Sequence, residues 1–251
     1  MSRYDFSAER LYVNAPLAVA ALVELDQVQT NYVRNVLRLN EGAVILVFNG
    51  RDGEWKAAVT ASRRKLVILT VKEMTRAQEP RPDLRYLFAP LKHARQDYMV
   101  EKAVEMGAGL LGPVLTRRTQ THRINGERMR AHTIEAAEQC GILTIPDIAP
   151  AIKLDALLDT WDKDRLLIFC DEDAPSDDPV TALRQRAGAK GHAPLAVLIG
   201  PEGGFDAAER EALLSLPQVL RLSLGPRILR ADTAAVAALA LLQATLGDWQ
   251  G

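Results

Sequence analysis

The sequence predicts an α/β protein in which a small β-barrel domain precedes a larger domain built on a mainly parallel sheet. Three observations carry this. Short runs rich in β-branched residues cluster before residue 72, a segment with two prolines within three residues follows, and from residue 84 onward strand-length apolar runs alternate with segments of helical period.

The elements follow in chain order. Residues Asp26 to Leu39 place Val28, Tyr32, Val33, Val36 and Leu37 at helical spacing, with Arg34 and Arg38 together on another face. Ala43 to Phe48, Trp55 to Thr60 and Leu66 to Val71 read as strands, and Asn49-Gly50 with Asp52-Gly53 marks the turn between the first two. Pro80 and Pro82 restrict the backbone and mark a linker over 76–83. Beyond it, strands are expected at Leu84 to Ala89, Leu110 to Leu115, Leu166 to Cys170, Leu195 to Ile199 and Val219 to Leu224. Helices are expected at Arg95 to Met106, Glu127 to Cys140, Pro179 to Ala187, Ala207 to Leu216 and Thr233 to Leu246. The acidic run Asp171 to Asp178 reads as a solvated loop.

Composition narrows the function classes. With 251 residues, 48% hydrophobic and 25% charged, the chain is of ordinary globular make-up, large enough for one large or two smaller domains. Cys140 and Cys170, far apart in sequence, form neither a disulfide framework nor a zinc pattern, so a reducing, cytoplasmic setting is expected. The longest apolar stretch, Ala234 to Leu242, is too short to span a bilayer, and Met1 to Asp5 carries no signal-peptide core. His93, His122, His132 and His192 lack ligand spacing, so no metal is expected. The net charge of -1 hides a segregation: residues 1–130 hold 21 Lys and Arg against 14 Asp and Glu, and residues 131–251 hold 10 against 18. A basic front half is either a solvated face or a surface for a polyanion such as nucleic acid.

Two glycine-bearing turns near the C-terminus carry the chemistry. Ile199-Gly200-Pro201-Glu202-Gly203-Gly204-Phe205 follows one expected strand, and Leu222-Ser223-Leu224-Gly225-Pro226-Arg227-Ile228-Leu229-Arg230 follows another. The glycines allow positive φ and close approach of a ligand, and two such loops at neighbouring strand ends wall one crevice of an open parallel sheet. Asp206 with Glu209 is a helix-start pair, and Asp232 and Thr233 are candidate caps of the last helix. The Walker lysine and the dinucleotide G-x-G-x-x-G spacing are both missing. Either turn alone is equally mere topology, and Arg227 and Arg230 equally pair with surface carboxylates or stand as cations at a ligand's rim.

These two strings resemble the C-terminal signatures of the bacterial 16S ribosomal RNA uridine-1498 N3-methyltransferases of the SPOUT superfamily. Asn31-Tyr32-Val33-Arg34-Asn35-Val36-Leu37-Arg38 resembles the N-terminal motif of that family's PUA-like domain. Lys92, the string Glu101 to Gly107 and the string Glu135 to Gly141 resemble its catalytic-domain helices. The chain departs from the family pattern at Tyr32, where histidine is usual, at Ile142, where arginine is common, and at Asp232, where the family has Glu.

The resemblance implies a PUA-like RNA-binding barrel over 1–75 and a SPOUT-type domain over 84–251 with a trefoil knot. It implies a homodimer acting on 16S rRNA of the small ribosomal subunit, with S-adenosylmethionine as cofactor. The cofactor would meet Ile199, Gly200, Pro201, Glu202, Gly203, Leu222, Ser223, Leu224, Gly225, Ile228, Leu229, Arg230, Thr233 and Ala234. Arg230 is the candidate to stabilise the base anion, with Glu202 and Asp232 as carboxylates near the reacting centre. For RNA the expected contacts are Asn31, Arg34, Arg38, Lys92, Arg95, Arg117, Arg118 and Arg123. The competing readings are another SPOUT methyltransferase acting on tRNA or on a ribose hydroxyl, a non-catalytic RNA-binding module, and a nucleotide-dependent oxidoreductase.

Overall fold

The computed structural model describes residues 8–64, 66–175, 178–187 and 194–250. The expected position of His192 and part of the acidic run, Ser176 and Asp177, lie outside the described residues, as does the side chain of His93. The chain forms two compact units, one of residues up to Arg81 together with Ile134–Ile145, the other of Pro82–Thr133 and Pro146 onward.

In the first unit the strands β1 (Arg10–Tyr12), β2 (Leu22–Glu24), β3 (Val44–Phe48), β4 (Glu54–Arg63) and β5 (Leu66–Arg76) form one sheet in the order β1-β3-β4-β5-β2. β1 runs parallel to β3, and the other pairs are antiparallel. Three register shifts along β4 and β5 bend the sheet around a single core, since a bulge adds local twist. Alternation sends Trp55, Ala57 and Val59 of β4 and Val67, Leu69 and Val71 of β5 into that core. The turn at Asn49 forms as its residues dictate: the Asn49 side chain accepts from the amides of Arg51 and Asp52, and Gly50 and Gly53 take φ of 79 and 82. The expected helix from Asp26 divides into α1 (Gln27–Asn31), started by an Asp26 capping box, and a π-helical turn over Tyr32–Val36. The strands β1 and β2 escape periodicity because three residues are too few to show a period.

The segment 134–145, expected within the second domain, packs within the first unit. The Tyr12 amide donates to Glu138 Oε1 at 2.7 Å, and Arg76 Nη2 donates to the Gly141 carbonyl at 2.8 Å. Arg76 also shares the buried Glu54 carboxylate with Arg10 and Thr75. Burial opposes the charge on Glu54, yet the bonds from Arg76, Thr75 and Arg10 hold its carboxyl below the usual range.

The second unit comprises β6 (Leu84–Phe88), α2 (His93–Glu105), β7 (Leu110–Leu115), the start of α3 (Gly126–Cys140), β8 (Asp147–Ile148), β9 (Ile152–Lys153), α4 (Leu154–Asp159), β10 (Leu166–Cys170), α5 (Pro179–Ala187), β11 (Leu195–Ile199), α6 (Ala207–Leu214), β12 (Val219–Leu222) and α7 (Ala231–Thr245). Its strands pair in the order β12-β10-β11-β6-β7-β8, all parallel, with β9 also on β7. One face of the sheet, through Tyr86, Phe88, Ile168 and Val197, packs with Met99, Met129, Leu183 and Leu239 of the helices. The other face, through Leu87, Leu167, Phe169 and Leu198, packs with Leu154, Phe205 and Leu213. A sheet covered on both faces reads as continuous apolar runs, and this is why β6, β7, β10, β11 and β12 are legible in sequence, whereas the two-residue β8 and β9 were not expected.

Candidate active site

The parallel register aligns the C-terminal ends of three strands. Cys170, the last residue of β10, lies opposite both Ile199 of β11 and Leu222 of β12. The two glycine turns were expected at neighbouring strand ends, but β10 lies between β11 and β12. The loop after β10 therefore supplies a third wall, and the three loops enclose a cavity of about 690 Å³. Such a crevice at the carboxyl ends of parallel strands is where an open α/β sheet takes its ligand.

The first wall is the turn after β11. The Gly204 amide donates to the Pro201 carbonyl at 2.9 Å, and Gly204 has φ +67. Gly200 is required by packing: an added Cβ would fall 2.4 Å from the ring of Phe205, which is buried edge-on against Phe169. Three arginines then grip the turn. Arg95 pairs with Glu202, Arg118 Nη1 donates to the Gly203 carbonyl at 2.7 Å, and Arg117 Nη1 lies 2.9 Å from Asp206 Oδ2. Asp206 and Glu209 form the expected capping box of α6, and Glu209 also accepts the Arg117 amide at 2.7 Å. The Glu209 amide, followed by Arg117, holds the Asp206 carboxyl below its ordinary range.

The second wall is the loop after β12. Its strand ends at Leu222, and Ser223 and Leu224, expected within it, belong to the loop, where the Gly225 amide donates to Ser223 Oγ at 3.3 Å. Gly225 through Ile228 are exposed, Ile228 at 94%. The side chains of Arg227 and Arg230 have no hydrogen bond or ion pair among the described residues, while the Arg230 carbonyl accepts the Ala234 amide at 2.7 Å. The last helix starts earlier than expected: Arg230 takes the N-cap position with no side-chain cap, and Asp232 stands in the first turn, where a carboxylate favours the helix dipole.

The third wall corrects the reading of the acidic run as a solvated loop. Asp171 is buried and ion-paired with Arg210 and Arg221, while Glu172 and Asp173 pair with Arg210. Cys170 lines the cavity beside them, and burial together with the Asp171 charge pushes its thiol up to about 12, so it stays protonated. The Tyr86 hydroxyl is fully buried and has no hydrogen-bond partner among the described residues. Burial, with Cys170 and Asp232 adding to it, holds that phenol well above the tyrosine range.

Of the residues expected to meet a cofactor, Ile199, Gly200, Pro201, Glu202, Gly203, Ser223, Leu224, Gly225, Ile228, Leu229, Arg230 and Ala234 line this one cavity. Leu222 does not, because its side chain is turned into the core, and Thr233 is exposed away from the lining. The residues expected to meet RNA do not form one group. Arg95, Arg117 and Arg118 converge on the glycine turn, while the side chains of Lys92 and Arg123 are exposed without partners among the described residues. In the first unit Arg34 donates to the Arg63 carbonyl, Asn31 accepts from Asn35, and Arg38 is exposed with φ +56. His132 lies between Glu101 Oε1 at 2.7 Å and Asp97 Oδ1 at 3.4 Å, a structural contact between α2 and α3. Asp171, Glu172, Cys170 and Phe205 were missed as lining residues; the available signal was that an acidic run directly follows a wholly apolar strand, β10.

Comparison with known proteins agrees with this geometry. Residues 77–243 match the family described as an RNA methyltransferase domain, and residues 25–72 match the RNA methyltransferase PUA domain. The chain is 30% identical, over 92% of its length and 93% of the relative's, to ribosomal RNA small subunit methyltransferase E of Rickettsia conorii. The structure of ribosomal RNA small subunit methyltransferase E from Neisseria gonorrhoeae bound to S-adenosyl methionine superposes with a TM-score of 0.82 at 25% identity, covering 96% of this chain and 99% of that one. A Legionella pneumophila methyltransferase in complex with bound SAM superposes at 0.77 with 29% identity, over 94% and 97% of the two chains.

Proposed function

The chain belongs to the RNA methyltransferase family that includes ribosomal RNA small subunit methyltransferase E, and from that premise we propose that it transfers a methyl group from S-adenosylmethionine to N3 of one uridine of 16S rRNA. The observation that carries this reading is the meeting of both glycine-bearing signatures in a single cavity at the ends of β10, β11 and β12. The cavity fits the cofactor by size and character: about 690 Å³ lies within the ordinary range for small-molecule sites, and its lining combines apolar Ile199, Leu224, Leu229 and Ala234 with Ser223 and backbone amides. When bound there, the cofactor supplies an electrophilic methyl on a sulfonium.

The chain's own residues bind, align and stabilise. The glycine turn, clamped by Arg95, Arg117 and Arg118, is a rigid cradle, and the loop of Gly225 to Arg230 faces it across the cavity. The uracil N3 proton must leave as the methyl arrives, and negative charge grows on the imide. Arg230, exposed at the cavity rim without an ion-pair partner, is free to meet that charge. Glu202 is paired with Arg95, and Asp232 accepts from the Thr233 amide through Oδ1 alone.

The same reading extends to topology, assembly and place. We assign to the second unit the trefoil knot implied by the resemblance; the insertion of β10 between β11 and β12 and the return of α7 onto α2 and β11 support it. A homodimer is supported by Ile228, almost fully exposed beside the cavity. Among the described residues no helix is long and apolar enough to cross a membrane, and a cytoplasmic setting belongs to the same proposal, since its substrate is ribosomal.

The test is methyl transfer from labelled S-adenosylmethionine to small subunits taken from cells lacking this protein, with the modified nucleoside identified by mass spectrometry. N3-methyluridine at one position is expected. A 2′-O-methyl product, methylation of tRNA instead, or cofactor binding with no transfer to any RNA would each replace this reading.

A further inference from the structure

Arg210 belongs to none of the sequence signatures and does not line the cavity, yet it holds the third wall. It lies on α6, the helix that the glycine turn leads into, and its guanidinium meets three consecutive carboxylates of the loop after β10. Nη2 is 2.9 Å from Asp171 Oδ1 and 3.3 Å from Glu172 Oε1, and Nη1 pairs with Asp173. The second oxygen of Asp171, whose side chain is wholly buried, is 2.7 Å from Arg221 Nε on β12. One carboxylate at the end of β10 is thereby shared between an arginine after β11 and an arginine of β12. The elements that bear all three cavity walls are tied at this point.

The tie reaches the glycine turn directly. An added Cβ at Gly204 would fall 2.3 Å from Glu172 Oε1, so the carboxylate that Arg210 holds lies against the turn's backbone. Three adjacent carboxylates repel one another, and without a delocalised cation spanning them the loop loses its reason to stay closed. Lysine, a point charge, serves one or two of these carboxylates and not the fork of three.

We propose that Arg210 is a positioning residue for cofactor binding: through Asp171 and Glu172 it keeps the third wall closed against the glycine turn before the cofactor arrives, without touching the cofactor. This rests on the reading of the cavity as the cofactor site. A preformed wall lowers the ordering cost of binding and does nothing for the reacting atoms, so its loss falls on cofactor affinity rather than on turnover at saturation.

The experiment is steady-state methyl transfer to small subunits with Arg210→Ala, Arg210→Lys and Glu172→Gln, together with calorimetric S-adenosylmethionine binding and a thermal melt of each. The expected result for Arg210→Ala is a rise of about tenfold or more in KM and Kd for the cofactor, with kcat within about threefold of wild type and KM for the subunit unchanged. Arg210→Lys recovers part of the affinity. Glu172→Gln, which leaves the buried Asp171 pairs in place, shifts the cofactor KM in the same direction by less and keeps the test open should Arg210→Ala fail to fold. Unchanged cofactor affinity in folded Arg210→Ala, or equal losses in kcat with no recovery by lysine, overturns the proposal. Ala234→Trp separates the two levels: if a folded variant with the cavity filled binds the cofactor as wild type does, the cavity reading falls and this proposal with it.

Discussion

The glycine turn after β11 and the loop after β12 line the same cavity but are held in opposite ways. The first is gripped by Arg95, Arg117 and Arg118, closed by a capping box, and pressed by Glu172. The second exposes Gly225, Pro226, Arg227 and Ile228, and the guanidinium groups of its two arginines have no partners among the described residues. A wall fixed by the protein suits a ligand of constant shape. A wall with unspent cations and an exposed apolar side chain is completed by what binds, and the ordering falls due at that moment. Under the proposed function both sides line the cofactor cavity, and the open loop is the one left to be completed by the RNA.

The largest effect that tests this contrast is on turnover. Arg230→Ala lowers kcat by about 10²-fold or more, the usual consequence of removing a group that meets charge in the transition state. Its thermal midpoint stays at the wild-type value, because the Arg230 side chain is exposed and unpaired among the described residues, and its carbonyl, which accepts the Ala234 amide, is untouched by the substitution. Arg118→Ala gives the reverse pattern, a lower midpoint and a weaker cofactor KM with kcat kept, since its bond is to the Gly203 carbonyl. Subunit methylation assays paired with melts decide this, and a destabilised Arg230→Ala breaks the contrast.

The next effect compares one glycine from each side. Gly204 and Gly225 both have positive φ, +67 and +104, and any other residue there is strained by about 1–2 kcal/mol. Only at Gly204 does a Cβ also meet a neighbour, the Glu172 carboxylate, whereas nothing lies within 4 Å of a Cβ at Gly225. Gly204→Ala is therefore the more destabilising, and the excess disappears in the Glu172→Ala background. Chemical denaturation of the four variants closes this cycle, and an excess that survives removal of Glu172 means the turn is strained by something else.

The legible parts of the molecule are those whose physics is local or periodic. The buried parallel strands β6, β7, β10, β11 and β12 announced themselves as apolar runs, and α6 through the pairing of Asp206 with Glu209, because a capping box is a four-residue signal; β8 and β9, two residues each, show no period and were not expected. The cavity's first two walls were legible through Gly204 and Gly225, whose positive φ few other residues share, and through Gly200, where Phe205 leaves no room for a Cβ. The third wall was not. Asp171 is buried by Arg210 and Arg221, which lie 39 and 50 positions along the chain, and no spacing rule joins them. The same holds for Arg76 and Gly141, which draw 134–145 into the first unit. The resemblance supplied the knot and the cofactor, which periodicity cannot reach.

A smaller effect probes how the fixed side is kept. Asp206→Ala removes the α6 cap and the partner of Arg117, and lowers the thermal midpoint by less than Gly204→Ala does. The Asp206 carboxyl is held below its ordinary value of 3.8, so its contribution is fully present above that value and is lost as pH falls through the lower folded one. The gap between wild type and Asp206→Ala is accordingly flat from pH 5 to 8, and narrows only in more acid solution, with pH as the working scale. A gap that closes near neutrality assigns the cap to another group.

The smallest effect lies behind both walls. The orphan hydroxyl of Tyr86 is raised in pKa by burial and by Cys170 and Asp232, one beside the third wall and the other just past the open loop. A buried hydroxyl that bonds to nothing costs its desolvation and returns nothing. Tyr86→Phe is therefore neutral or stabilising by up to about 1 kcal/mol, with cofactor affinity unchanged, because the phenol takes no part in the fixed side's bonding. If instead the variant melts as wild type and binds S-adenosylmethionine more weakly, the hydroxyl is bonded in the complex. The part of the site that waits for its ligand then reaches below the exposed loop, to the face of β6.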